Sequence, residues 1–282
     1  MTDATPELVT DNPWRRLRAY TDARIGLGRA GTSLPTRELL AFQLDHARAR
    51  DAVHLPLDTG ALLEALTSLS AARGLPQPLL LHSEAADRVT YLQRPDLGRR
   101  LDATSCNVLD RSGHTHQSPV DLALVVADGL SSRAVQQNAV PLLQAFLALP
   151  EVASASGQRA PLCVVTQARV AIGDDIAQRL NARCVVVLIG ERPGLSSPDS
   201  LGLYLTWAPH PGLTDANRNC ISNIRPGGLD VAEASRRLLY LLKEARRLNL
   251  SGVGLKDRSA QAVIEQGYGN FLLEPPPDGS KR

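Results

Sequence analysis

Three short stretches constrain this fold more than anything else in the chain: "DLALVVADG" (121–129), "PLCVVTQA" (161–168) and "RCVVVLIGE" (183–191). Each is a nearly unbroken run of Val, Leu, Ile, Ala and Cys that stops abruptly at polar or glycine residues. A strand with water on one face alternates apolar and polar side chains, whereas an unbroken apolar run belongs to a strand buried on both faces, as in a central parallel sheet. The intervening segments, "SSRAVQQNAVPLLQAFLALP" and "GDDIAQRLNA", have helical periodicity. A fourth run, "SLGLYLTWAP", and a final helix, "DVAEASRRLLYLLKEARRLNL", continue the alternation. The pattern predicts an α/β fold: a doubly wound, Rossmann-like parallel sheet over about 118–260.

The region before it reads differently. Asn12–Pro13 is a helix start, with Asn12 as cap and Pro13 pre-set for the first helical position, and the helix is expected to run to about Ile25. A second helix begins near Pro35, where Leu40, Leu44 and Ala47 recur at helical spacing, and another lies near 60–72. "PLLLHS" and "DRVTYLQ" read as short strands. With 282 residues, more than one domain usually holds, the chain divides into a smaller, mainly helical region, 1–110, and the Rossmann-like domain, 111–282, whose tail "EPPPDGSKR" is expected to be disordered.

Charge and cysteine usage exclude several classes of function. The 31 basic and 29 acidic residues are spread along the chain, without the concentrated basic face of a nucleic-acid binder. No apolar run approaches the roughly 18 residues that span a bilayer. The opening "MTDATPELVTDNPWRRLRAY" contains acidic residues and no apolar core of a secretory signal, so a cytoplasmic location is expected. Cys106, Cys163, Cys184 and Cys220 lie far apart, with no C-x-x-C pair. Cys163 and Cys184 read as small core residues on strands and Cys220 as a polar-loop residue.

Gly26, Gly28 and Gly31 match G-x-G-x-x-G, but no strand leads into them, and without one the motif cannot present a helix terminus to a pyrophosphate. A tight turn is expected there. Neither His114 with His116 nor His46 with His54 has the spacing of a metal pair. Ligands of open α/β sheets bind beyond the carboxyl ends of the strands. Those ends carry Asp128–Gly129, then Gln167, Arg169 and Val170, then Glu191 with "RPGLSSPDS", and finally "DANRNCISNIRP" with Asn219, Cys220, Ser222 and Asn223. Asp174–Asp175 are expected to serve a helix N-terminus. This crevice has no histidine at a strand end and no paired carboxylates, so it suits holding a large, amide-rich, roughly neutral molecule better than transforming a small one.

Several long strings together, "ARIGLGRAGTSLPTRELLAFQLDHARARDAVH", "RPDLGRRL", "VVADGLSS", "VVLIGERPGLSSPDSLG" and "DANRNCISNIRPGGL", resemble the small subunit of ethanolamine ammonia-lyase from about Asp22 to Asp257. The resemblance implies an adenosylcobalamin-dependent carbon–nitrogen lyase that converts ethanolamine to acetaldehyde and ammonia by a radical route. It also implies a hetero-oligomer in which a TIM-barrel large subunit holds the reacting groups. Cofactor contacts carry over motif by motif to Val170 in "QARVAIGDDI", Glu191 in "IGERPG" and Cys220 in "RNCISN". No D-x-H-x-x-G string occurs, so base-on binding is the expectation. Arg24, Arg29 and Arg37 become expected contacts to the large subunit, and a bacterial microcompartment becomes an alternative to free cytosol. A stand-alone α/β enzyme acting on a nucleotide or sugar nucleotide is the competing reading, and a purely structural partner a third.

Overall fold

The computed structural model describes residues 8–112, 119–154 and 159–259. His114, His116 and the segment "EPPPDGSKR" lie outside them. After a 3-10 helix, Pro13–Ala19, come α1 (Thr36–His54), α2 (Thr59–Arg73), β1 (Leu79–His82), α3 (Arg88–Gln93) and α4 (Ala103–Arg111). There follow β2 (Ala123–Ala127), α5 (Ser132–Ala148), the short α6 (Pro150–Ala153), β3 (Cys163–Thr166), α7 (Ile172–Arg179), β4 (Cys184–Gly190), β5 (Leu201–Trp207), β6 (Arg218–Ile224) and α8 (Val231–Leu248). The strands form one sheet in the order β1-β3-β2-β4-β5-β6. No helix among the described residues is long and apolar enough to cross a membrane.

The three apolar runs become β2, β3 and β4, whose buried side chains alternate between two cores. Leu124, Val126, Val164, Val186 and Leu188 face α2, α5 and α8, while Val125, Cys163, Val165, Val185 and Val187 face α4 and α7. Caps set where the covering helices begin. Ser131 accepts from the Ala134 amide at 3.2 Å to start α5, and Asp230 accepts from the amides of Ala232 and Glu233 to start α8. Asn249 in the left-handed region ends α8. The sheet also reaches back into the first hundred residues, because β1 pairs with β3 as an edge strand.

The sheet is mixed, which corrects the expectation of an all-parallel one. Strands β1 to β4 are parallel, but β5 runs antiparallel to β4 and β6 antiparallel to β5. The cause is connection length: a parallel return needs a crossover of about a dozen residues or more, usually a helix. The loop 191–200 contains no helix. A second correction is that "RNCISNI" is strand β6, with Ile221 and Ile224 packed inward and Cys220, Ser222 and Asn223 exposed. "DRVTYLQ" is helix α3, because the Asp87 carboxylate caps the Thr90 amide at 2.7 Å and Tyr91 turns inward to full burial. Asn12 caps as expected, accepting from the Trp14 amide at 3.0 Å, but the helix ends at Ala19. There Arg18 donates to the Ile25 carbonyl at 2.7 Å, and the glycine segment folds back on the helix. A Cβ on Gly26, at φ +60°, would lie 2.6 Å from the Arg15 amide nitrogen and one on Gly28 2.7 Å from the Thr10 carbonyl oxygen, so these two glycines form a packed turn, while Gly31 has open space around it.

The end of β4 lies tightly against the turn that follows β2. Leu130 donates to the Gly190 carbonyl at 2.9 Å, and a Cβ on Gly190 would fall inside the Ser131 carbonyl oxygen. Backbone cannot yield there as a flexible side chain could. Gly190→Ala is expected to destabilise the protein by about 1–3 kcal/mol. Urea denaturation checks this, and an unchanged midpoint would refute the close approach.

Candidate functional site

The ends of β2 and β3 are committed to the protein's own packing. Buried Asp128 accepts from the amides of Gln167 and Ala168, both at 2.9 Å, and lies 3.5 Å from Arg88 Nη1. Burial pushes its carboxyl pKa up, and those two amides and Arg88 oppose the shift. Arg88 also donates to the Gly129 carbonyl at 2.8 Å, and with Arg169 it lies over the Tyr91 ring, 4.7 and 4.2 Å from the centroid. Of the residues expected to line one crevice, Asp128, Gln167 and Arg169 therefore hold this corner shut. Asp174 and Asp175 lie in the first turn of α7 as expected, but their carboxylates reach farther than a capping role. Asp175 accepts from the Leu101 amide at 3.0 Å and pairs with Arg179.

The open surface lies farther along the sheet. In the antiparallel ladder Val187 sits opposite Tyr204 and Ile189 opposite Gly202, and Tyr204 sits opposite Cys220, so these residues share one face. Helix α7 covers that face over β4, where Gly173 approaches Val187 and Val185. Over β5 and β6 it is open: Tyr204 and Glu191 are half-buried, and Cys220 and Ser222 are exposed. Helix α8 packs on the opposite side of the same two strands. Val170, in the turn between β3 and α7, and Tyr204 are both partly buried against the core beneath α4 and α7.

Glu191 ties this face together. One carboxylate oxygen accepts from Ser222 Oγ at 2.5 Å, and the other from Ser200 Oγ at 2.5 Å and the Asn223 amide at 3.2 Å. These bonds link the end of β4 to the start of β5 and the end of β6. Room for the carboxylate comes from Gly202, where a Cβ would lie 2.8 Å from Glu191 Oε1. Ser200, Ser222 and Gly202 were not readable as partners of Glu191, because only strand register brings them together. The sole sequence signal was a charged residue immediately following a buried strand.

Cys220 is not in a polar loop but on β6, beside Tyr204. Desolvation raises its thiol pKa, the Tyr204 hydroxyl lowers it and the Glu191 carboxylate raises it, for a net upward shift. The same neighbourhood pushes the Tyr204 phenol up, with burial as the main cause. Both groups are held on the protonated side, which leaves the thiol with little nucleophilic character. Cys163 and Cys184 are fully buried, and burial pushes each thiol up to about 12. Among the described residues, no group of three or more His, Cys, Asp and Glu is placed to hold a metal ion. Nor does the open face carry a lysine, a histidine or a pair of carboxylates.

Comparison with known proteins decides the family. The model of the ethanolamine ammonia-lyase light chain (EutC) matches residues 11–256. The chain belongs to the ethanolamine ammonia-lyase small-subunit family. It is 56% identical over 273 residues to the "Ethanolamine ammonia-lyase small subunit" of Ralstonia nicotianae, covering 96% of this chain and 98% of that one. Against the small subunits of Azotobacter vinelandii and Pseudomonas aeruginosa the identities are 56% and 55%, over 97% and 95% of this chain and 99% and 97% of theirs. As the small subunit of a lyase, this chain presents a surface without an acid–base set.

A buried ion pair frames that surface. Arg218, at the start of β6, donates to Asp174 Oδ1 at 2.8 Å and Oδ2 at 2.6 Å, and its Nη1 also reaches Thr206 Oγ1 at 2.9 Å. The two side chains are 1% and 2% exposed, so neither charge has solvent to fall back on. Arg218→Met, which strands the Asp174 carboxylate, is expected to cost about 3–5 kcal/mol. Arg218→Met combined with Asp174→Leu should recover most of that loss in denaturation experiments. Equal losses in the single and double variants would show that the charges do not depend on each other.

Proposed function

We propose that this chain is the cofactor-holding subunit of an adenosylcobalamin-dependent ethanolamine ammonia-lyase, working in a hetero-oligomer with a TIM-barrel large subunit. When bound, the cofactor supplies the radical chemistry by which ethanolamine becomes acetaldehyde and ammonia. The observation that carries this reading is the open face over β5 and β6, lined by Val170, Tyr204, Cys220, Ser222 and Glu191 and without a reacting group of its own. A corrin ring edged with carboxamides needs donors, acceptors and smooth apolar contact across a broad surface, and this face offers all three. A carboxylate has about four acceptor positions. Glu191 uses three of them internally, which leaves room for one amide N–H.

In this reading each residue has a defined task. Val170 and Cys220 give apolar contact, Glu191 accepts from a rim amide while keeping the ends of β4, β5 and β6 together, and the sheet excludes water from one side. Strands β2 to β4 with α5 and α7 on opposite faces form the doubly wound, Rossmann-like part of residues 111–282, to which 1–110 adds the edge strand β1. The absence of a D-x-H-x-x-G string supports base-on binding.

Residues 1–110 also supply the partner contact. Trp14 is 62% exposed and Tyr20 87%, and Leu40 and Leu44 stand exposed on α1. Large aromatic residues left in solvent on an otherwise well-packed chain fit an interface better than a free surface. Arg24 pairs with Asp45 at 2.7 Å and lies over Phe42, and Arg37 lies 3.5 Å from Glu38, so both are held at this surface, as is Arg29 through its backbone pairing with Thr10.

Three measurements test the proposal. The mixture of this chain with the large subunit is expected to retain adenosylcobalamin and release ammonia from ethanolamine, and neither chain alone to do so. Glu191→Ala should weaken retention about ten-fold or more, the worth of a hydrogen bond to a charged acceptor. A mixture that neither retains cobalamin nor turns over would refute the reading, and unchanged affinity would remove Glu191 from the site. Trp14→Ala with Tyr20→Ala should weaken subunit association in sedimentation experiments while leaving the unfolding of the isolated chain unchanged.

A further inference from the structure

The turn from β3 to α7 begins with Gln167 at φ +54°, in the left-handed region that residues with a side chain rarely adopt. The backbone around it is fastened group by group. The amides of Gln167 and Ala168 donate to the two carboxylate oxygens of Asp128, both at 2.9 Å. The Gln167 carbonyl accepts from Ser83 Oγ at 2.7 Å, and the Ala168 carbonyl accepts from the Tyr91 hydroxyl at 3.1 Å. The Arg169 amide donates to the Gly98 carbonyl at 2.7 Å. These partners come from four separate segments: Asp128 follows β2, Ser83 follows β1, Tyr91 lies in α3 and Gly98 in the turn after it. The next residue is Val170.

We propose that Asp128 and Tyr91 are positioning residues for the cofactor: they hold residues 167–169 in this one conformation and thereby place Val170 for its contact. Both are buried, at 2% and 0% exposure, so each acts through the turn. The inference rests on the cofactor reading above and adds to it two residues outside the open face.

The sheet and the helix do not themselves need these two polar groups. The register of β2 with β3 ends at Ala127 opposite Val165, and Asp128 extends it only through its own amide, which donates to the Val165 carbonyl at 3.2 Å. Helix α7 starts from bonds within its own turn, Gly173 to Val170 and Asp174 to Ala171, both at 3.1 Å. Phenylalanine in place of Tyr91 would fill the same space and keep a ring beneath the guanidinium groups of Arg88 and Arg169. What the carboxylate and the hydroxyl add is confined to the backbone of the turn. A buried carboxylate is costly unless it is hydrogen-bonded, and a left-handed residue other than glycine persists only where its surroundings over-determine it. Both costs fall within one short turn, immediately before Val170. Strain held in place beside a contact residue is pre-organisation, which reduces the ordering entropy lost on binding.

The test measures adenosylcobalamin retention by the complex with the large subunit, once sedimentation has shown that the complex forms. Asp128→Asn keeps the volume but turns an NH2 group toward one of the two donor amides, and Tyr91→Phe removes only the hydroxyl. Retention should weaken about ten-fold in the first and about five-fold in the second, and hydrogen exchange at the Gln167 and Ala168 amides should quicken. A double-mutant cycle with Val170→Ala separates positioning from a general structural role. If Asp128 acts through Val170, adding Asp128→Asn to Val170→Ala should lower retention by a further factor of about two or less. Unchanged retention in Asp128→Asn, or a loss that multiplies in full with that of Val170→Ala, overturns the positioning role and leaves the cofactor reading standing. Should Asp128→Asn prevent assembly, Tyr91→Phe is judged by the same two criteria. A wild-type complex that retains no cobalamin overturns the cofactor reading and this inference with it.

Discussion

The pair between Arg218 and Asp174 is the contact on which the arrangement of this molecule depends. Asp174 belongs to α7, which follows a parallel strand, and Arg218 opens β6, the outer antiparallel strand. A bidentate pair removed from water cannot be relaxed or re-paired without a large penalty, so it fixes the position of one half of the sheet against the other. It also determines where the covering of the sheet stops. Helix α7 lies over β4, its first turn is anchored to β6, and everything beyond that anchor on the same face is left open.

That open face is unusual because its strands are otherwise well packed. The opposite side of β5 and β6 is filled by Leu203, Leu205, Ile221 and Ile224 against α8. Burial on one side gives the strands their stability and register, which frees the other side to present Tyr204, Cys220 and Ser222 without a folding role. Glu191 and Gly202 complete the division of labour. The carboxylate fastens three strand ends, and the missing side chain gives it space. A surface built this way is rigid before anything binds, and little ordering entropy is left to lose on binding.

The chemistry of the face sets what it can do. Its thiol and phenol are held on the protonated side, its one carboxylate is engaged in hydrogen bonds, and it carries no histidine or lysine. Such a surface recognises and positions, and a reacting group must come from elsewhere. This agrees with a small subunit in a lyase family. The aromatic residues Trp14 and Tyr20, before α1, lie outside the core and contribute no buried contact to it.

The sequence by itself determined which segments are central strands, because an unbroken apolar run such as "CVVVLIG" has no other stable environment than burial on both faces. It also located α5, α7 and α8, the buried cysteines, and Val170 and Glu191 at strand ends, since these depend on local periodicity and on where a run stops. Tertiary structure alone decided the direction of β5 and β6, the inward turn of Tyr91 and the strand character of "RNCISNI". Polar residues on an open face hide the alternation that marks a strand, and two isoleucines are too weak a signal against five polar neighbours. Partners distant in sequence, such as Glu191 with Ser222 and Asp174 with Arg218, were equally hidden. A hydrogen bond across a sheet is set by register, and register is chosen by the packing of the whole core, which no local stretch of sequence contains.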